Sequence, residues 1–134
     1  MGNLKTFLCV FVLLTLFSGA GYSQSLKFCE EVNSEGEPVK QITVFSIEKG
    51  KGGTLKFLTK LPFSISTKSV LYEIYTVDGE GNETYKRNIK QDVNPAWMWF
   101  YKDVKFTEAG TYNIKVYDGD RNHLVTSYLT VQYY

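Results

Sequence analysis

Few side chains in this 134-residue sequence are of the kinds that make or break bonds. There is one histidine, His123, beside a turn at the start of a strand-like run. A catalytic triad needs a nucleophile, a histidine and an orienting group within reach of one another, and a lone histidine on a flank does not supply that. A structural zinc site draws on several cysteines or histidines; past residue 23 only Cys29 and His123 are available. Asp118, Asp120 and Asn122 occupy the first, third and fifth places of a D-x-D-x-N run, as at the start of a calcium loop. The twelfth place holds Leu129 instead of a bidentate Glu, and Asp, Gly and Asn belong in a hairpin turn in any case. Asp78, Glu80 and Glu83 form a second acidic turn with the same reading. Glu30 and Glu31 are adjacent, so on a strand they face opposite ways and do not form a catalytic pair. Residues 48–53 (E-K-G-K-G-G) are glycine-rich and basic, but they lack the G-x-x-x-x-G-K-[ST] order and no helix follows. The sequence thus implies no catalytic residue, no metal site and no cofactor.

What remains is non-covalent chemistry, carried by aromatics whose facing depends on the strands that hold them. Residues 54–61 alternate, with Leu55, Phe57 and Thr59 inward and Lys56 and Lys60 outward. Residues 70–77 put Val70, Tyr72 and Ile74 inward, because the opposite register would bury Glu73 without a partner. Residues 83–91 are polar on both faces and read as an edge strand. Residues 111–118 and 123–133 form a hairpin in which pairing Tyr112 with Leu129, Ile114 with Ser127 and Val116 with Val125 collects the apolar side chains. Tyr75, Asn113 and Tyr128 then point outward from neighbouring strands and could form one binding patch. Met98 and Phe100 face outward on the other sheet beside Leu58, a second candidate patch. Flat aromatics with an amide suit a sugar ring or a protein partner.

The strand that decides these facings lies in residues 97–112, W-M-W-F-Y-K-D-V-K-F-T-E-A-G-T-Y. Trp99, Tyr101, Val104, Glu108, Gly110 and Tyr112 stand at the spacing of the E–F region of immunoglobulin-like domains, and the stretch resembles that superfamily. The resemblance implies that Tyr112 is a tyrosine corner whose hydroxyl returns to upstream backbone. It also implies that Trp99, Tyr101 and Val104 point inward, and that Tyr72 stands roughly where the superfamily's core Trp does. The chain departs from the pattern in having Glu at position 108 for the usual Asp, and Ile114 where the second disulfide cysteine would be. Such a sandwich would be held by apolar packing alone, as in fibronectin-III-like and many bacterial immunoglobulin-like domains. The expected fold is all-β, an immunoglobulin-like antiparallel sandwich of seven to eight strands.

Residues 1–23 have the plan of a secretory signal peptide: Lys5, the apolar run 7–17, then small residues, with cleavage after Ala20 or Ser23. Residues 24–38, polar after a short apolar start at Leu26 and Phe28, read as a loose N-terminal segment with room for a short edge strand, and 39–134 as the sandwich, opening with a strand over 39–47. Losing Lys5 equalises basic and acidic residues, so charge gives no reason to expect nucleic acid. No membrane span is expected after cleavage. Cys29, left alone, has no internal disulfide partner. The functional expectation is an exported, non-catalytic binding or structural module, in the periplasm, at the cell surface or in the medium, with a protein or glycan partner. A carbohydrate-binding module, or a small protease inhibitor or enzyme-accessory protein, is the alternative.

Overall fold

Side-chain alternation with period two runs through most of the chain, and the strands follow it. A computed structural model describes residues 23–134; the segment read as a secretion signal, Ser23 apart, lies outside the described residues. Among the described residues nine strands form: β1 Ser25–Val32, β2 Pro38–Ile42, β3 Val44–Ile47, β4 Gly53–Lys60, β5 Ser69–Val77, β6 Glu83–Asp92, β7 Trp99–Phe106, β8 Gly110–Asp118 and β9 His123–Tyr133. They make two sheets, β2-β1-β4-β7 and β3-β9-β8-β5-β6. Every strand pair is antiparallel except β3 with β9.

The core lies between the sheets. Phe57 of β4 is fully buried at its centre, with ring centroids of Phe28, Tyr72 and Phe106 at 5.0, 6.0 and 6.0 Å. Tyr72, Ile74, Ile114, Val116 and Leu129 complete it from the five-stranded side. The β8–β9 register pairs Tyr112 with Leu129, Ile114 with Ser127 and Val116 with Val125, the pairing that the apolar pattern calls for. Glu73, on the outer face of β5, escapes burial while its neighbours Tyr72 and Ile74 do not. Tyr112 packs edge-on against Phe106 at 4.9 Å, and its hydroxyl donates to the Glu108 carbonyl at 2.7 Å. Tyr112→Phe keeps the ring and removes that bond, so urea unfolding should register a loss of about 0.5–1.5 kcal/mol with unchanged m-value.

Two expectations about the N-terminal third are corrected. Residues 24–38 are neither loose nor limited to a short edge strand: they hold the eight-residue β1, interior to its sheet, whose Leu26 and Phe28 enter the core, and the first residue of β2. The single strand expected over 39–47 is two strands in different sheets. Ile42 and Val44 share one parity and Phe45 and Ile47 the other, so one flat strand would have to bury both faces. The chain instead crosses between sheets at Thr43. Lys40, at φ 55°, bends it on the way.

The phase of β7 is also corrected. Trp99 and Tyr101 face outward, and Phe100 is buried with Val104 and Phe106. The resemblance spacing needs an irregularity between positions 101 and 104. However, β7 pairs with β4 without interruption from Trp99 opposite Lys60 to Phe106 opposite Gly53. Strict alternation from Val104 then turns Phe100 inward. The opposite phase would bury Asp103 and Lys105. Lys102 does fall on the inner side, opposite Phe57, but β7 is an edge strand and the stem stays half-buried, reaching toward water.

On the outer face of the four-stranded sheet, β1 and β2 form a hairpin that curls back over its own sheet. β1 pairs with β4 only from Ser25 to Cys29 and with β2 from Phe28 onward. The hairpin tip reaches β7: Gly36 lies against the indole of Trp99, and Glu37 accepts from Lys60 Nζ at 2.6 Å. That bond holds the Glu37 carboxyl below its ordinary range. Beneath the hairpin, Leu58 and Cys29 are fully buried although both sit on the outward parity of their strands. Burial pushes the Cys29 thiol above its ordinary value.

Candidate functional site

The first candidate surface is assembled by strand register. Tyr85, Tyr75, Asn113 and Tyr128 are direct cross-strand neighbours on β6, β5, β8 and β9, one row across four strands. Sequence reasoning named three of these residues and missed Tyr85, which is brought beside Tyr75 by a bulge. The row is closed in its middle. Asn113 is 2% exposed, so the expectation of an open amide is corrected: its Nδ2 donates to Glu83, and its Oδ1 has no partner. Lys115 Nζ stands 4.5 Å above the Tyr75 ring and 3.0 Å from Glu83, and the Tyr75 hydroxyl donates to Glu73 at 2.9 Å. Only the ends of the row, Tyr85 and Tyr128, lie open.

This closure titrates. Lys115, then the Asn113 amide, hold Glu83 below its ordinary value of 4.5. A depressed carboxyl stabilises the fold fully above its unfolded value and loses that contribution as pH falls through the folded value. Lys115, raised by the same pair, contributes fully below 10.5 and loses its share as pH rises past its folded value. The melting-temperature gap between wild type and Glu83→Gln should therefore be constant near neutrality and narrow below about pH 4.

The second surface lies where the sandwich is open, between edge strands β6 and β7. Gln91, Ala96, Trp97, Met98, Trp99, Phe100 and Tyr101 line a groove of about 780 Å³. Trp97, Met98 and Tyr101 are 45, 47 and 43% exposed, which is unusual for three large side chains so close together. Phe100, expected outward beside Met98, forms part of the buried floor, so Met98 alone remains of that patch. The segment that presents these side chains is braced: the backbone N–H groups of Leu61, Ile65 and Ser66 donate to the carbonyls of Met98, Trp97 and Pro95, each at 2.8 Å. Asn94 caps the turn by accepting from the Ala96 N–H at 2.9 Å. Gln91 ties the groove to the core, accepting from the Tyr72 hydroxyl at 2.6 Å and donating to the Tyr101 carbonyl at 2.8 Å. Sequence reasoning missed this groove because it turned Trp99 and Tyr101 inward. Their shared parity with Asp103 and Lys105 was the signal that could have found it.

The remaining candidates have structural partners. Asp118 Oδ1 accepts the backbone N–H groups of Asp120 and Asn122, both at 2.9 Å, and Asp78 does the same for Glu80 and Asn82. Those bonds to Asn82 and Glu80 hold the Asp78 carboxyl below its ordinary value. The carboxylates thus close hairpin turns. His123 bonds Thr126 at 2.6 Å and packs edge-on against Tyr117.

No protein-family model and no curated protein matches the sequence significantly. Among solved structures, an immunoglobulin-like protein from Pseudomonas aeruginosa is 16% identical, over 84% of this chain and 98% of its own, with a TM-score of 0.47. A superoxide reductase (neelaredoxin) from Ignicoccus hospitalis is 7% identical, over 82% of this chain and 80% of its own, with a TM-score of 0.41. The topology itself carries the fold assignment: β1, β4 and β7 take the places of strands A, B and E, facing β5, β8 and β9 in those of C, F and G. The chain is an all-β, immunoglobulin-like sandwich.

Proposed function

We propose that the chain is an exported, non-catalytic binding module that holds its partner in the aromatic groove beside β7. The observation that carries this reading is the braced run of Trp97, Met98, Trp99 and Tyr101, all large and none fully buried. Trp and Tyr dominate binding energy at interfaces, and Met is enriched there. Bracing by three backbone bonds reduces the ordering cost on association. Export is supported by the apolar run and small residues of 1–23. Periplasm, cell surface and medium all fit that address. The side chains lining the groove, an amide, an alanine, a thioether and aromatics, suit non-covalent contact.

The test is retention of envelope components on immobilised wild type, on Trp97→Ala/Met98→Ala, and on Tyr75→Ala/Tyr128→Ala. The groove variant should weaken retention of specific components about tenfold or more. The tyrosine-row variant should retain them. Equal retention by wild type and the groove variant overturns the reading, as does a loss confined to the tyrosine-row variant. Circular dichroism and thermal melting confirm that each variant is folded.

A further inference from the structure

We propose that the groove takes an uncharged glycan, its sugar rings stacked on the indole of Trp97 and on the face of Trp99 away from Gly36. This rests on the groove being the binding site. Four observations carry it. First, no charged side chain lines the groove, and the pairs beside it, Lys56 with Asp103 near Tyr101 and Lys60 with Glu37 near Trp99, are closed on themselves at 2.7 and 2.6 Å. Such a surface offers a charged ligand nothing to offset its desolvation. Second, Trp97 and Trp99 give the groove flat apolar rings, each with an N–H donor at its edge. A sugar ring is the matching shape: one face of C–H groups and a rim of hydroxyls.

Third, Trp99 and Tyr101 project from one side of β7 two residues apart, roughly 6.6 Å along the strand. With Trp97 ahead of them they form a short series of rings, suited to a ligand that repeats flat apolar faces. The groove volume of about 780 Å³ is that of a small-ligand cleft. Fourth, the main alternative, an extended peptide added to the edge of β7, meets an obstruction. The outward carbonyls of Tyr101 and Lys105 are already taken by the side chains of Gln91 and Arg87. A strand pairing there would have to displace both.

The experiment uses a built-in probe. The sequence has two tryptophans, and both line the groove, so tryptophan emission reports on this site and on the hairpin tip that rests against Trp99. Wild type is titrated with neutral oligosaccharides (β-glucan, xylan, mannan and chitin fragments), with an acidic oligogalacturonate, and with an extended apolar peptide. A saturable emission change with a neutral oligosaccharide is expected, and none with the acidic one. Calorimetry should show that binding lost in Trp97→Ala and retained in Tyr128→Ala. Preference for the peptide or the acidic oligomer overturns the glycan assignment. So does the absence of any saturable response to neutral glycans up to about 10 mM. If the groove variant still loses retention of envelope components in that case, the groove stands and only the ligand class falls. If it does not, both readings fail.

Discussion

Phe57→Ala should lower the free energy of unfolding by about 3–5 kcal/mol, the cost of deleting a buried ring from a core that closes only partly around the void. Phe57 is fully buried and is the one side chain whose ring meets Phe28 and Phe106 of its own sheet and Tyr72 of the facing sheet. Both sheets therefore lose a contact at once. The partners have little freedom to fill the space: Tyr72 is held by its bond to Gln91, and Phe106 is held against Tyr112. Domains of this size have roughly 5–15 kcal/mol in all, so the variant should sit near the edge of folding. Phe57→Leu, which retains most of the volume, should cost about half as much or less. Urea unfolding checks both. A loss under about 1 kcal/mol in the alanine variant would place the centre of the core elsewhere.

The parts of this fold that could be read from sequence are those where one face is polar. In β5, Glu73 between Tyr72 and Ile74 leaves one economical facing. In β8 and β9, alternation fixes both phase and register. The polar edge strand β6 is equally plain. Where both faces are apolar, alternation loses its meaning, and the errors concentrate there. Residues 97–101 are aromatic or Met throughout, so their composition does not distinguish inside from outside. Only the charges at Asp103 and Lys105 mark the phase, and the resemblance spacing overrode them. In residues 39–47 the conflict between Ile42 and Phe45 was itself the sign of a chain changing sheets. The closed state of Asn113 depends on Glu83 reaching across from β6, two strands away, to a place held by Lys115 on Asn113's own strand, which no local pattern records. The groove followed the β7 error directly: with Trp99 and Tyr101 turned inward, its wall vanished.

The hairpin over the outer face was the least legible feature, because it depends on one residue meeting another 63 places along the chain, and it yields the second large effect. Gly36→Ala should destabilise the protein by about 2–4 kcal/mol and lift the hairpin from the sheet. Gly36 has φ +77°, and a Cβ built there would lie 2.5 Å from two atoms of the Trp99 indole. Something must move. Trp99 sits at the head of a strand paired over eight positions with β4, whereas the hairpin tip is fastened mainly by Glu37 on Lys60. The tip should therefore give way, opening a path to Cys29 and Leu58 beneath. Thiol labelling, followed by mass spectrometry of the peptide containing Cys29, should accelerate at least tenfold. Gly50→Ala separates backbone strain from collision: Gly50 also has a positive φ, +90°, but nothing lies within 4 Å of its added Cβ. It should cost about 1–2 kcal/mol and leave Cys29 protected. Because Trp99 is also a wall of the groove, lifting the tip should shift tryptophan emission toward the red in Gly36→Ala and not in Gly50→Ala. Equal melting temperatures and equal labelling rates in the two variants would mean that the indole does not rest on the hairpin. Stability and the binding surface would then be independent, instead of meeting at one ring.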